Sequence, residues 1–187
     1  MKRLFILVLA MVLALSLTAC GGGNDSQSSG SQGSSASTQT DNTPSAPNPA
    51  AGSKYVLTYK NCPLPMNADF APLLDFLGEP DSYFEAASCA FDGLDKTYTY
   101  AGLEIITYPD GDVDRISSVR ILDGSVSTPE GVTVGSTLTD VTAAYGEDYE
   151  EMGLNVVYED GDATLSVLFE GGKALSVEYT ALNDLLG

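Results

Sequence analysis

The chain has no histidine and no tryptophan among its 187 residues. Without an imidazole there is no Ser-His or Cys-His nucleophilic pair and no histidine-ligated metal. Positive charge is scarce: 8 Lys and Arg stand against 26 Asp and Glu, a formal charge of −18. Such a chain cannot neutralise a run of phosphates, which excludes nucleic acid as a partner. Cysteine is confined to Cys20, Cys62 and Cys89, with no Cys-x-x-Cys, which speaks against dithiol redox chemistry. The folded part contains no Ser-x-x-Lys, and neither Gly-rich phosphate-binding pattern stands in a strand-helix context. The one long apolar run, residues 4–15, is short for a membrane span, which takes about 20 residues.

That run is the middle of an address. Lys2 and Arg3 precede it and the small residues Ser16, Thr18 and Ala19 follow, the layout of a secretory signal peptide over residues 1–19. Leu17-Thr18-Ala19-Cys20 resembles the lipobox of bacterial lipoproteins. The resemblance implies diacylglyceryl transfer to the Cys20 thiol and cleavage before Cys20. It also implies a membrane anchor on the extracytoplasmic face. Two or more acyl chains, at ~0.8 kcal/mol per buried methylene, hold where one does not.

Residues 20–52 follow as the lipidated cysteine and a linker of Gly, Ser, Gln, Asn, Thr, Ala and Pro. The linker has no large aliphatic or aromatic residue with which to offset the entropy of ordering. Its mean reach is about 30 Å. Residues 53–187 are one domain's worth of chain. Once Lys2 and Arg3 are removed, 6 basic residues face 26 acidic ones. Anionic headgroups repel such a body within about a Debye length, ~8 Å. Cys62 and Cys89 form an even pair in an exported domain. A structural disulfide between them would contribute ~3.5 kcal/mol by the chain-entropy relation; two free thiols are the other reading.

The spacing of Phe70, Leu73, Leu74 and Leu77 predicts a helix capped by Asn67 and stopped by Gly78 and Pro80. Strands are predicted over 96–100, 103–108 and 114–122, with turn signals at Ala101-Gly102 and Pro109-Asp110-Gly111. The pattern then recurs. Thr137 and Asp140 form a capping-box pair ahead of a second helix stopped by Gly146. Strands are predicted over 154–158, 163–170 and 174–180, and residues 55–59 are a further candidate. The expectation is an α+β domain of two helix-then-three-strand units, about 53–123 and 131–187. Its helices would pack on an antiparallel sheet of six or seven strands. Gly78-Glu79 matches Gly146-Glu147, and Tyr100 matches Tyr158.

Residues 131–141 (Gly131-Val132-Thr133 through Val141) with Tyr145-Gly146 resemble a helix motif of small bacterial lipoprotein domains, and Gly78-Glu79-Pro80 resembles its ending. These are the SmpA/OmlA-like and the tandem β-lactamase-inhibitor-like families. The resemblance implies a helical segment packed on an antiparallel sheet and action by binding proteins. The first helix lacks the upstream Gly-x-Thr, and the second ends in Gly-Glu-Asp rather than Gly-x-Pro.

Asp110, Asp112 and Asp114 place oxygen ligands at alternate positions, as a Ca²⁺ loop does; Arg115 and Ile121 stand where the EF-hand glycine and glutamate would. An acidic hairpin turn is the plainer reading, and no cofactor is expected. Ten tyrosines are present; Tyr98 and Tyr100 share a strand face and are candidate partner-binding residues or simply strand formers. The expected function is non-catalytic: a cell-envelope protein-binding or scaffold module. A small-molecule or Ca²⁺-responsive extracytoplasmic sensor is the alternative.

Overall fold

Lys60 and Asn61 both adopt positive φ, 50° and 64°, which folds β1 (Leu57–Tyr59) back on β2 (Cys62–Leu64) as a tight hairpin. The computed structural model describes residues 52–182. The expected signal peptide, Cys20 and all of the expected linker except Gly52 lie outside the described residues.

The elements after that hairpin are α1 (Ala71–Leu77), β3 (Ser82–Ala87), β4 (Leu94–Tyr100), β5 (Leu103–Asp110) and β6 (Val113–Ile121). Then come α2 (Leu138–Tyr145), β7 (Glu150–Met152), β8 (Asn155–Asp160), β9 (Ala163–Glu170) and β10 (Lys173–Ala181). The eight strands β3 to β10 form one antiparallel sheet in the order β3-β4-β5-β6-β10-β9-β8-β7. Two four-strand meanders are therefore joined through their last strands, with Ile121 opposite Val177 and Ser118 opposite Thr180. Antiparallel pairing of corresponding strands gives the sheet an approximate two-fold relation about the β6–β10 seam.

This architecture corrects the expected α+β class. The described chain is mostly β, and its helices have only seven and eight residues. The sheet has eight strands rather than six or seven. The strand expected at 55–59 pairs instead with β2 in a separate two-stranded sheet, and the two unforeseen strands of the large sheet are β3 and β7, in which every residue is exposed. With both faces wet, neither carries the apolar alternation that marks a strand in sequence. The first helix is also shorter than expected. Asn67 has φ 61°, its N–H bonds the Ile116 carbonyl, and Asp69 pairs with Arg115. Residues 67–69 thus lie along β6, and α1 starts only after Phe70, with Pro72 in its first turn. At α2 the expected cap is formed: Thr137 accepts from the Asp140 N–H, and the Asp140 carboxylate accepts from the Thr137 N–H.

The core lies on one face of the sheet. Leu103, Ile105, Val119, Ile121, Val177, Leu165 and Val167 are fully buried there, each worth roughly 1.5–3 kcal/mol by transfer. Leu57 and Leu64 of the hairpin, Leu73 and Leu77 of α1, and Val141 of α2 belong to the same cluster. In each half a tyrosine ties the sheet to the end of its helix. The Tyr100 hydroxyl donates to the Gly78 carbonyl at 3.1 Å, and the Tyr158 hydroxyl to the Gly146 carbonyl at 2.8 Å. Both glycines have positive φ, 78° and 91°, which the turn out of each helix requires.

Candidate functional site

Most of the residues singled out in the sequence turn out to serve the fold. Tyr98 and Tyr100 share a face, but it is the covered one: they are 6% and 3% exposed. The Tyr98 ring packs 4.7 Å from Phe70, and Tyr100 packs 6.1 Å from Tyr59. They are core residues rather than the expected exposed tyrosine row; of the two, only Tyr98 reaches a surface groove, between α1 and β3. The Cys62–Cys89 disulfide is corrected, because both thiols are free. Cys62 is buried in β2, where desolvation pushes its thiol pKa up, while Cys89 is exposed in the β3–β4 loop. A hairpin strand inside and a loop tip outside do not bring the two sulfurs together.

The three aspartates do flank one hairpin turn, but two of them already hold cations. Arg115 Nε lies 2.6 Å from Asp110, and Lys96 Nζ lies 2.6 Å from Asp114; Asp112 points outward on the exposed turn. Among the described residues no group of three or more acidic or cysteine side chains is placed to hold a metal ion. Cys20 lies outside the described residues.

Two surfaces remain. The first is the face of the sheet opposite the core, where Thr99, Glu104, Arg120, Glu178 and Ser166 lie in cross-strand register. Arg120 bridges three strands at the centre of that row. Its Nη1 is 3.1 Å from Glu104, and its Nε and Nη2 make a two-pronged bond to Glu178 at 3.2 and 3.1 Å. The bond to Glu178 pushes the guanidinium pKa up. Beside it lies an open concavity of about 470 Å³ bordered by Asn155, Ser166, Leu168, Leu175 and Ser176. One guanidinium against two carboxylates leaves the clamp with a net charge of −1, and every Arg120 nitrogen is already bonded to one of them.

The second surface is the outer edge of the first half. Among the described residues β3 pairs only with β4. The Ser88 N–H bonds the Gly93 carbonyl at the hairpin end. Alternation along the ladder then turns the backbone N–H and C=O groups of Tyr83, Glu85 and Ala87 away from β4. Tyr83 is 48% exposed and Phe84 64%. Phe84 faces the open side with Thr97, and Tyr83 faces the covered side with Tyr98, its ring 5.1 Å away. A hydrogen bond to Glu85 pushes the Tyr83 phenol pKa up. Between α1 and β3 runs a groove of about 400 Å³, floored by Leu74, Pro80, Tyr83 and Tyr98 and rimmed by Asp75 and Glu79.

This edge is absent from the strands that periodicity predicts. Its trace in the sequence is the Tyr83-Phe84 pair in a six-residue run free of Gly and Pro just after Pro80-Asp81. The Gly78-Glu79-Pro80 motif supplies one wall of the groove.

No family model and no curated protein matches the chain. Among solved structures, an extracellular protein containing an SCP domain from Bacillus anthracis str. Ames matches with a TM-score of 0.47 and 13% identity. The match covers 65% of this chain and 45% of that one, so this chain spans less than half the length of its structural relative.

Proposed function

We propose that this protein is a cell-envelope lipoprotein, anchored through Cys20 to the outer face of a membrane, whose folded part is a non-catalytic protein-binding module. The observation that carries the binding reading is the β3 edge. It combines backbone groups unpaired among the described residues, two exposed aromatic rings and an adjoining groove with an apolar floor. The anchoring reading rests on the lipobox-like Leu17-Thr18-Ala19-Cys20 and the polar tract after it. An extracytoplasmic location follows from the same residues; that the distant structural relative is described as extracellular is compatible with it and adds no weight. The resemblance to the SmpA/OmlA-like and β-lactamase-inhibitor-like lipoproteins points the same way, toward action by protein contact.

Two measurements test the two halves of this reading. Cells fed an alkyne palmitate analogue are expected to label the protein and retain it in membranes, whereas the Cys20→Ala chain is unlabelled. An unlabelled wild-type chain in the cytosol refutes the anchor. A photo-crosslinking phenylalanine at position 84 is expected to give a discrete protein adduct in the envelope, whereas one at Asp112 gives none. No adduct at position 84 under any growth condition refutes the binding module.

A further inference from the structure

The two outer edges of the sheet are not equivalent. β7 is three residues long and two of them, Glu150 and Glu151, are charged, a short and repulsive edge of the kind that resists pairing. β3 is six residues long, has no Lys or Pro, and carries one charge, Glu85, among aromatic and small side chains. The extra length is an addition to the first half. Twenty-two positions separate Gly78 from Tyr100, against 12 between Gly146 and Tyr158. The difference falls in the β3–β4 hairpin. That hairpin is pinned at its far end, where Phe91 stacks 4.8 Å from Tyr108. A sheet that blunts one edge and extends the other in an ordered form has an edge built for pairing.

Charge decides what pairs with it. The rim of the α1–β3 groove is acidic through Asp75 and Glu79, Asp81 precedes β3, and Glu85 lies within it. Lys96, opposite Glu85 in the ladder, is taken up by Asp114, and Lys60 lies over the Tyr59 and Tyr100 rings. A second copy of the chain would bring the same carboxylates face to face, on a molecule with 26 acidic and 8 basic residues.

Resting on the protein-binding reading above, we propose that β3 takes up an extended, Lys- or Arg-bearing segment of a partner protein as an added strand. Main-chain bonds to Tyr83, Glu85 and Ala87 supply affinity, and side chains at alternate positions supply selectivity. Residues of the segment that face the groove lay an aliphatic stem on Tyr83 and Pro80 and bring a cation to Asp75 and Glu79. Those on the other side lie against Phe84. The recognised pattern is basic alternating with apolar.

The test uses the full chain, purified as the cell makes it, and a synthetic peptide of alternating Lys and Val. The controls are the peptide with Glu for Lys and a peptide N-methylated on alternate backbone amides in both phases. The Lys/Val peptide is expected to bind, more weakly as salt rises, and to slow hydrogen exchange in residues 82–87. The Glu peptide and the N-methylated peptide with blocked edge amides are expected not to bind. Asp75→Asn with Glu79→Gln should weaken binding by about tenfold. Ala87→Pro, which removes an outward N–H from an edge strand, should weaken it similarly without loosening β4. Indifference to N-methylation in both phases, or protection on the Arg120 face instead of β3, overturns edge addition. Slow exchange of β3 without peptide overturns it too, and if it grows with protein concentration it assigns the edge to a second copy. Failure of the Lys/Val peptide alongside a persistent adduct at position 84 overturns the basic segment while the protein-binding reading stands.

Discussion

Thr107 is fully buried in β5 opposite the β6 bulge at Ser117, and its hydroxyl has no hydrogen-bond partner among the described residues. A hydroxyl desolvated without compensation costs about 1–3 kcal/mol, whereas valine fills the same space with a methyl group. Thr107→Val is therefore expected to raise stability by about 1 kcal/mol, read as a higher urea midpoint at unchanged slope. A lower midpoint would mean that the hydroxyl does have a partner. At the same scale Cys62 behaves as a small core hydrophobe: it is fully buried, and its thiol donates a weak hydrogen bond to the Pro63 carbonyl at 3.8 Å.

At the scale of elements, the helices are held by the sheet more than by themselves. Seven and eight residues are too few for independent helices in water. The Tyr100 and Tyr158 hydroxyls hold the glycine at the end of each. Replacing either tyrosine with phenylalanine is expected to cost about 1 kcal/mol in urea unfolding. The same tyrosines set an alkaline limit. Burial raises both phenols to about 12, above the ordinary value of about 10. Below pH ~10 both folded and unfolded chains keep these protons, and stability is level with respect to these groups. Between about 10 and 12 only the folded chain keeps them, so stability falls as pH rises through that window. Far-ultraviolet circular dichroism should lose the sheet signal as phenolate absorbance appears. Ionisation of Tyr100 and Tyr158 themselves at pH ~10 with the fold intact, assigned by difference from the Tyr100→Phe and Tyr158→Phe chains, would refute the coupling.

For the whole molecule, the decisive contact is the seam where β6 meets β10. Apolar pairs such as Ile121 opposite Val177 close its core side, and the Glu104–Arg120–Glu178 clamp closes the open side. Arg120→Gln leaves two half-buried carboxylates beside each other without their cation. The expected cost is about 1–2 kcal/mol, with a smaller difference from wild type at high salt. A variant as stable as wild type at low salt would show that the apolar pairs alone hold the halves together. The surplus of acidic side chains has a second consequence at this scale: like charge opposes pairing of the β3 edge with a second copy, which is why the proposed partner segment is basic.

Local chemistry made much of this molecule readable in advance. The Thr137 and Asp140 cap, the turns at Gly111 and Gly161, and the alternation of Leu165, Val167 and Phe169 each depend on residues a few positions apart. The pairing of Tyr100 with Tyr158 also had a local trace, the Gly-Glu that follows each helix. What could not be read depends on which face of a strand receives a cover. Tyr98 and Tyr100 alternate with Thr97 and Thr99, and periodicity alone does not say which pair α1 and the first hairpin will bury. β3 escaped notice because an edge strand wet on both faces has no alternation to show. Cys62 and Cys89 looked like partners only until the fold put one inside and the other at a loop tip. Periodicity is a property of neighbours in the chain; burial, pairing and an open edge are properties of neighbours in space.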